Sequence, residues 1–238
     1  IVWLTVTLLS LAVFCVSAWT ASEFAIVQRI VPRAHVANGV GLYNGLTTMI
    51  GGGLGPYVVG GIISNAIALG IASWLPTYLA SLDGVDYRDL SFLAAAPYAA
   101  SLLGLAMWAT IGDKTNRRAV TTAVGYFGAG VLATGAFMAG SAQIVWLTVT
   151  LLSLAVFCVS AWTASEFAIV QRIVPRAHVA NGVGLYNGLT TMIGGGLGPF
   201  VVGGIIDGGA GTRDLVTIFA LCTTISVLMI VFSRRVSY

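Results

Sequence analysis

Few side chains in this chain can do chemistry, and most of them sit inside long apolar runs. Ser160, Trp162, Thr163 and Glu166 fall within an arc of about 160° if the stretch is helical, at roughly 100° per residue. Trp162 and Glu166 then lie one above the other at i,i+4. Together they would offer hydroxyl, indole and carboxyl groups to one small polar ligand, and Glu166 would carry a proton. Plainer roles compete: the tryptophan packs in a core, and the hydroxyls bond back to carbonyls of their own helix. Glu166 precedes Arg172 by about 9 Å of helix rise, close enough for an ion pair with Arg172 or Arg176 at a helix end. Trp74 and Tyr78 share a face across Pro76, a residue that kinks helices, and would line a cavity or pack a core. Asn187 belongs to a stripe about 80° wide with Gly184, Thr191, Gly194 and Gly198. The glycines of such a stripe let a neighbouring helix approach closely. An amide in so apolar a run must find a partner, on a neighbour or on a bound molecule.

The densest charge cluster is Gly112-Asp113-Lys114-Thr115-Asn116-Arg117-Arg118. Asp113 can accept hydrogen bonds at a helix end, while Lys114, Arg117 and Arg118 can pair with other helix ends or with lipid phosphate. The same residues would also serve as topological charge alone. No nucleophile–base pair, metal cluster or phosphate-cradling loop is legible, which argues against an enzyme and against a cofactor or metal. The glycine runs GGGLGP lack the Gly-Lys-Ser/Thr ending of a nucleotide loop. Cys15, Cys158 and Cys222 lie deep in apolar runs and form no disulfide or metal pattern.

The elements that must position these residues follow from composition. The chain is 58% hydrophobic and 8% charged, far from the roughly 25% charged of soluble domains, so it belongs in a bilayer. A net charge of +3 without a basic tract gives no reason to expect nucleic acid. Eight apolar segments can be marked, near 1–22, 38–63, 64–82, 91–111, 119–140, 144–166, 181–206 and 215–233. They show no period-two alternation, so an all-α polytopic helix bundle is expected rather than a barrel. For the six spans from residue 64 onward, alternating sides gathers Lys114, Arg117, Arg118, Arg172, Arg176, Arg234 and Arg235 on one face. Arg88 and Arg213 fall on the other. That asymmetry predicts an integral membrane protein with the 112–118 loop and the C-terminus cytoplasmic.

Residues 1–63 complicate the count, because residues 144–206 repeat them with a single difference, Tyr57 against Phe200. Identity of that degree marks a recent copy rather than an old architectural repeat. If both copies keep their arginines on the same side, the added pair of spans reverses everything after it. The expectation is therefore a duplicated or misjoined two-helix segment at 1–63 and a native six-helix block at 64–238.

That block resembles the C-terminal six-helix half of a major facilitator superfamily transporter. Ser73–Leu79, SWLPTYL, resembles the seventh helix of its anion:cation symporter branch. The 112–118 loop resembles the superfamily signature between the eighth and ninth helices, with Ala109 where that motif usually has glycine. Gly182–Gly188, followed by GGGLGPFVVGG, resembles the eleventh helix. The resemblance implies a half-domain of a bacterial inner-membrane transporter that moves a small organic anion with a coupling proton by alternating access. Trp74, Tyr78, Ser160, Trp162, Thr163 and Asn187 would contact substrate, and Asp113, Lys114, Arg117 and Arg118 would act in gating. Glu166 stays a candidate proton carrier on its own chemistry, since the proton-coupling acids of this branch usually belong to the N-terminal half. Its partners would be membrane lipid and an N-terminal six-helix half supplying the basic residue for the anion. The contrasting expectation is a membrane-embedded helical scaffold that transports nothing.

Overall fold

A computed structural model describes residues 55–174, 176, 179–207 and 212–235, with Ile26, Arg29, Ile30 and Pro32. The chain divides into two compact units, Ile1–Gly52 and Gly53–Tyr238. In the first, Ile26, Arg29 and Ile30 are helical. The span expected at 1–22, Cys15 and most of the segment 38–63 lie outside the described residues.

The second unit is built from α1 (Gly55–Ala80), α2 (Tyr87–Thr115), α3 (Arg118–Ser141), α4 (Val145–Thr163), α5 (Glu166–Ile173), α6 (Val179–Thr190), α7 (Gly196–Asp207) and α8 (Thr212–Arg235). A π-turn, Thr191–Gly195, joins α6 to α7. Among the described residues four spans are long and apolar enough to cross a membrane: Gly55–Ala80, Arg88–Thr115, Arg118–Ser141 and Val145–Ile173. Such runs become helices because a helix satisfies every backbone group within itself, which hydrocarbon demands. Phe92, Leu102, Trp146 and Phe200 project outward, as on a surface solvated by lipid. The protein is an all-α integral membrane bundle.

The packing order is α2 on α4, α4 on α3, α3 on α8, and α1 against α8 and α7. Leu75, Tyr78 and Leu79 of α1 and Leu82 of the turn after it meet Leu93, Ala136, Val149 and Leu152 in a shared core. Two tight turns set the hairpins. Asn116 caps α2 in the left-handed region, at φ 51°. After the α3 C-cap, Ala142, Gln143 turns left-handed at φ 58°, with its N–H bonded to Gly140 O at 2.9 Å and the Ile144 N–H to Ala139 O at 3.0 Å. The Gln143 side chain then accepts the Asp83 N–H at 2.8 Å, tying the α1–α2 and α3–α4 turns together at one end of the bundle.

Two expectations change here. The segments marked as 38–63 and 64–82 are not separated at Ile63, because α1 runs unbroken through the join. Nothing there breaks a helix: Ser64 hydrogen-bonds to Tyr126, and Asn65 donates to Gly61 O at 3.1 Å. The glycine stripe is also not one face. The π-turn shifts the register of the helix beyond it, so Gly184, Asn187 and Thr191 stay exposed while Gly194 is buried. A Cβ at Gly194 would strike Ile62 O, and one at Gly198 would strike Ala66 O. These two glycines form a close seam between α7, the π-turn and α1.

Candidate functional site

The α4–α5 junction gathers more polar chemistry than any other part of the described residues. The α-helical pattern lapses at Ala164 and Ser165, where Ser165 N–H turns back to Trp162 O at 2.8 Å. Carbonyls freed at such a lapse need donors from outside. Thr122 donates to Ala161 O at 3.3 Å, Arg118 donates to Ala164 O at 3.2 Å, and the Tyr57 hydroxyl donates to Glu166 O. Arg118 also forms an ion pair with Asp113. Arg172 donates to Asn116 Oδ1 at 2.9 Å. The α2–α3 turn is thereby clamped to the α4–α5 junction from two sides. Lys114 and Arg117 stay exposed beside the clamp.

Directly beneath lies an aromatic cluster. Tyr57 stacks on Trp162, Tyr186 and Phe232 at centroid distances of 5.4, 5.1 and 5.2 Å. Tyr126 meets Trp162 edge-on at 6.1 Å. Gly60 faces the Trp162 ring and Gly61 the Tyr186 hydroxyl, so the paired glycines make room for both rings. Trp162 Nε1, Tyr186 OH and Ser165 Oγ are buried without a hydrogen-bond partner among the described residues. Glu166 is half-buried, and among the described residues it forms no ion pair with Arg172 or Arg176. The expected pairing fails because Arg172 turns to Asn116, and on the continuous helix α5 two residues six apart sit about 120° around from each other.

The sequence-expected substrate residues separate into three places. Ser160 is buried beside Trp162 and bonds to Ser101 Oγ at 2.8 Å and to Val156 O at 3.0 Å. Thr163 and Asn187 are exposed, with Asn187 Oδ1 accepting from Thr191 at 3.4 Å. Trp74 and Tyr78 lie elsewhere, on the wall of a cavity between α1, α3, α4, α7 and α8 whose surface is entirely apolar. The Trp74 indole N–H is turned away from it to Pro199 O at 2.6 Å. Tyr57, Tyr126, Tyr186 and Ser101 were not singled out by sequence reasoning. For Tyr57 a signal existed: it is the single position at which the two copies differ.

The chain is similar to curated transporters. It is 27% identical over 150 residues to the hexuronate transporter of Bacillus subtilis (strain 168), a match covering 60% of this chain and 35% of that protein. It is 27% identical over 134 residues to a quinolone resistance transporter of Acinetobacter baumannii, covering 56% of this chain and 30% of the relative. The chain thus spans about a third of the length of the curated relatives it matches. No family model matches it, and no solved structure matches it. A transporter role in general is what these similarities support.

Proposed function

We propose that residues 64–238 are the C-terminal half of a secondary transporter of the major facilitator type, in the bacterial inner membrane. It moves a small organic anion with a coupling proton by alternating access. The observation that carries this reading is the similarity to the hexuronate transporter over 150 residues, since a hexuronate is a sugar acid. An N-terminal half supplies the basic residue for the substrate carboxylate. Thr163 and Asn187, both exposed, contact the polar parts of the substrate, and Ser160 and Trp162 support them from the buried side. Trp74 and Tyr78 contribute bulk rather than anion contacts, because the cavity beside them has no polar surface.

Glu166 is the proton carrier in this scheme. It lies beside buried donors, and the nearest basic residue on its own helix, Arg172, reaches Asn116 instead. The Asp113–Arg118 pair, with Lys114 and Arg117 at its edge, is the gate: Asp113 fixes Arg118 within the α2–α3 turn, Arg118 bonds across to Ala164 O of the α4–α5 junction, and release of that bond would free the two hairpins to move apart. The excess of arginine and lysine at this end argues for a cytoplasmic position of it and of the C-terminus. The test is uptake of labelled hexuronate into proteoliposomes by the transporter with its N-terminal half restored. Asn187→Ala and Thr163→Val should each lower uptake by about tenfold, matching the loss of about 1.4 kcal/mol of transition-state binding. Glu166→Gln should abolish its dependence on a proton gradient. Unchanged uptake in Asn187→Ala and Thr163→Val would remove the site from this reading.

A further inference from the structure

The apolar cavity described above is built by small side chains, not left by chance. Ala66 of α1, Ala129 and Ala133 of α3, and Ala155 of α4 all face it, where larger residues would close the gap. It encloses about 100 Å³. Trp74, Tyr78 and Phe137 form its aromatic walls. Water has no place there, since a buried water needs two or more polar partners. The Trp74 N–H is already committed to Pro199, and the Tyr78 hydroxyl, buried without a hydrogen-bond partner among the described residues, lies at Gly140 and adds no polar surface to the cavity.

We propose that this cavity holds the end of a phospholipid acyl chain. Its rim includes Val201, which is 42% exposed. Val201 belongs to the same exposed apolar flank of α7 as Leu197 and Phe200. Acyl chains are the solvent at that flank, so they stand at the rim at very high concentration. An empty apolar void forfeits dispersion contacts along its whole lining. A hydrocarbon tail restores them with no desolvation cost, because a chain leaving the lipid phase gives up only other hydrocarbon. This binding site is independent of the transport reading, since it requires neither a substrate nor a second half.

The test uses the full chain in phosphatidylglycerol vesicles containing a trace of the same lipid with a diazirine at the end of one acyl chain. After irradiation, adducts are mapped by mass spectrometry. Adducts are expected at Ala129 and Ala155, which are 1% and 4% exposed and out of reach of a lipid on the outer surface. Ala133→Phe and Ala66→Leu, which fill the cavity from different helices, should reduce those adducts to background. Labelling at the exposed Leu102 should persist in both as a control for insertion, and steric-trap unfolding in bicelles should show that each filled variant has folded. Absence of Ala129 and Ala155 adducts in the unaltered chain, with Leu102 labelled, overturns the proposal. So does their persistence in a folded filled variant. Labelling of the cavity by a free aryl diazirine but not by the lipid probe would overturn it too, and assign the cavity to a small aromatic ligand.

Discussion

Tyr57 and Phe200 occupy equivalent positions of the repeat, yet Tyr57 is 2% exposed and Phe200 is 81% exposed. This makes an internally controlled experiment. Tyr57→Phe leaves the three ring stacks in place and removes the hydroxyl that donates to Glu166 O. The carbonyl loses its donor at a helix lapse in a water-poor interior. A neutral hydrogen bond contributes about 0.5–1.5 kcal/mol net, and side-chain bonds measured within membranes reach at most about 1.7 kcal/mol. A loss near 1 kcal/mol is therefore expected. The converse change, Phe200→Tyr, adds a hydroxyl to an exposed ring with nothing buried to satisfy, and should stay within about 0.5 kcal/mol of the unaltered protein. Steric-trap unfolding in bicelles resolves differences of this size. Equal effects of the two changes would refute the argument that the hydroxyl of Tyr57 holds the α4–α5 junction.

The seam glycines separate in the same way. Gly198→Ala and Gly194→Ala each drive a Cβ into the backbone of α1 and should cost about 1–3 kcal/mol. Gly184→Ala meets open space and should be neutral or stabilising by up to about 1 kcal/mol, in the same unfolding assay. Arg118→Ala removes a charged donor, 11% exposed, from Ala164 O and should cost about 1.5–3 kcal/mol, whereas the exposed Lys114→Ala should leave the unfolding midpoint unchanged. For orientation, Asp86→Cys and Arg117→Cys should react with an impermeant maleimide from opposite faces of right-side-out vesicles. Labelling of both from one face would break the alternation on which the cytoplasmic placement of the basic loop rests.

The all-helical membrane fold was legible because long apolar runs without period-two alternation admit little else. The six spans after residue 64 correspond to α1 through α8, with α4–α5 and α6–α7 each one interrupted span. Local interruptions were harder to read. Ala164 and Ser165 are ordinary helix residues, and the lapse there is supported by three donors from α1 and α3. Those donors lie far away in sequence. The stripe from Gly184 to Gly198 was measured at one fixed angular step, which a π-turn violates. Among site residues, Ser160 and Trp162 do lie together, whereas Trp74 and Tyr78 belong to a different, apolar space. Shared polarity and aromatic character gave no means of separating those environments before the helices were packed.

The repeat posed an orientation conflict, since two identical pairs of complete spans would force one pair to face the wrong way. The last stretch of the first copy, residues 55–63, meets that conflict in a different manner. Gly194 lies against Ile62, Gly198 against Ala66 and Gly203 against Trp74, so α1 and α7 run in the same direction. Gly55 begins α1 at the end where Arg118 and Arg172 lie, because Tyr57 reaches Glu166 there. Its copy, Gly198, lies about eleven residues farther along the shared direction, roughly 16 Å of helix rise. The nine residues thus keep their orientation and change their depth. At the shallower level they face the aromatic cluster, where a tyrosine hydroxyl has a carbonyl to meet, and at the deeper level the same ring faces lipid. Sequence identity fixes the propensity to be helical, but the position along the neighbouring helix decides which side chains become buried. A single oxygen atom, present in Tyr57 and missing from Phe200, falls on the side of that difference where it has a bond to make.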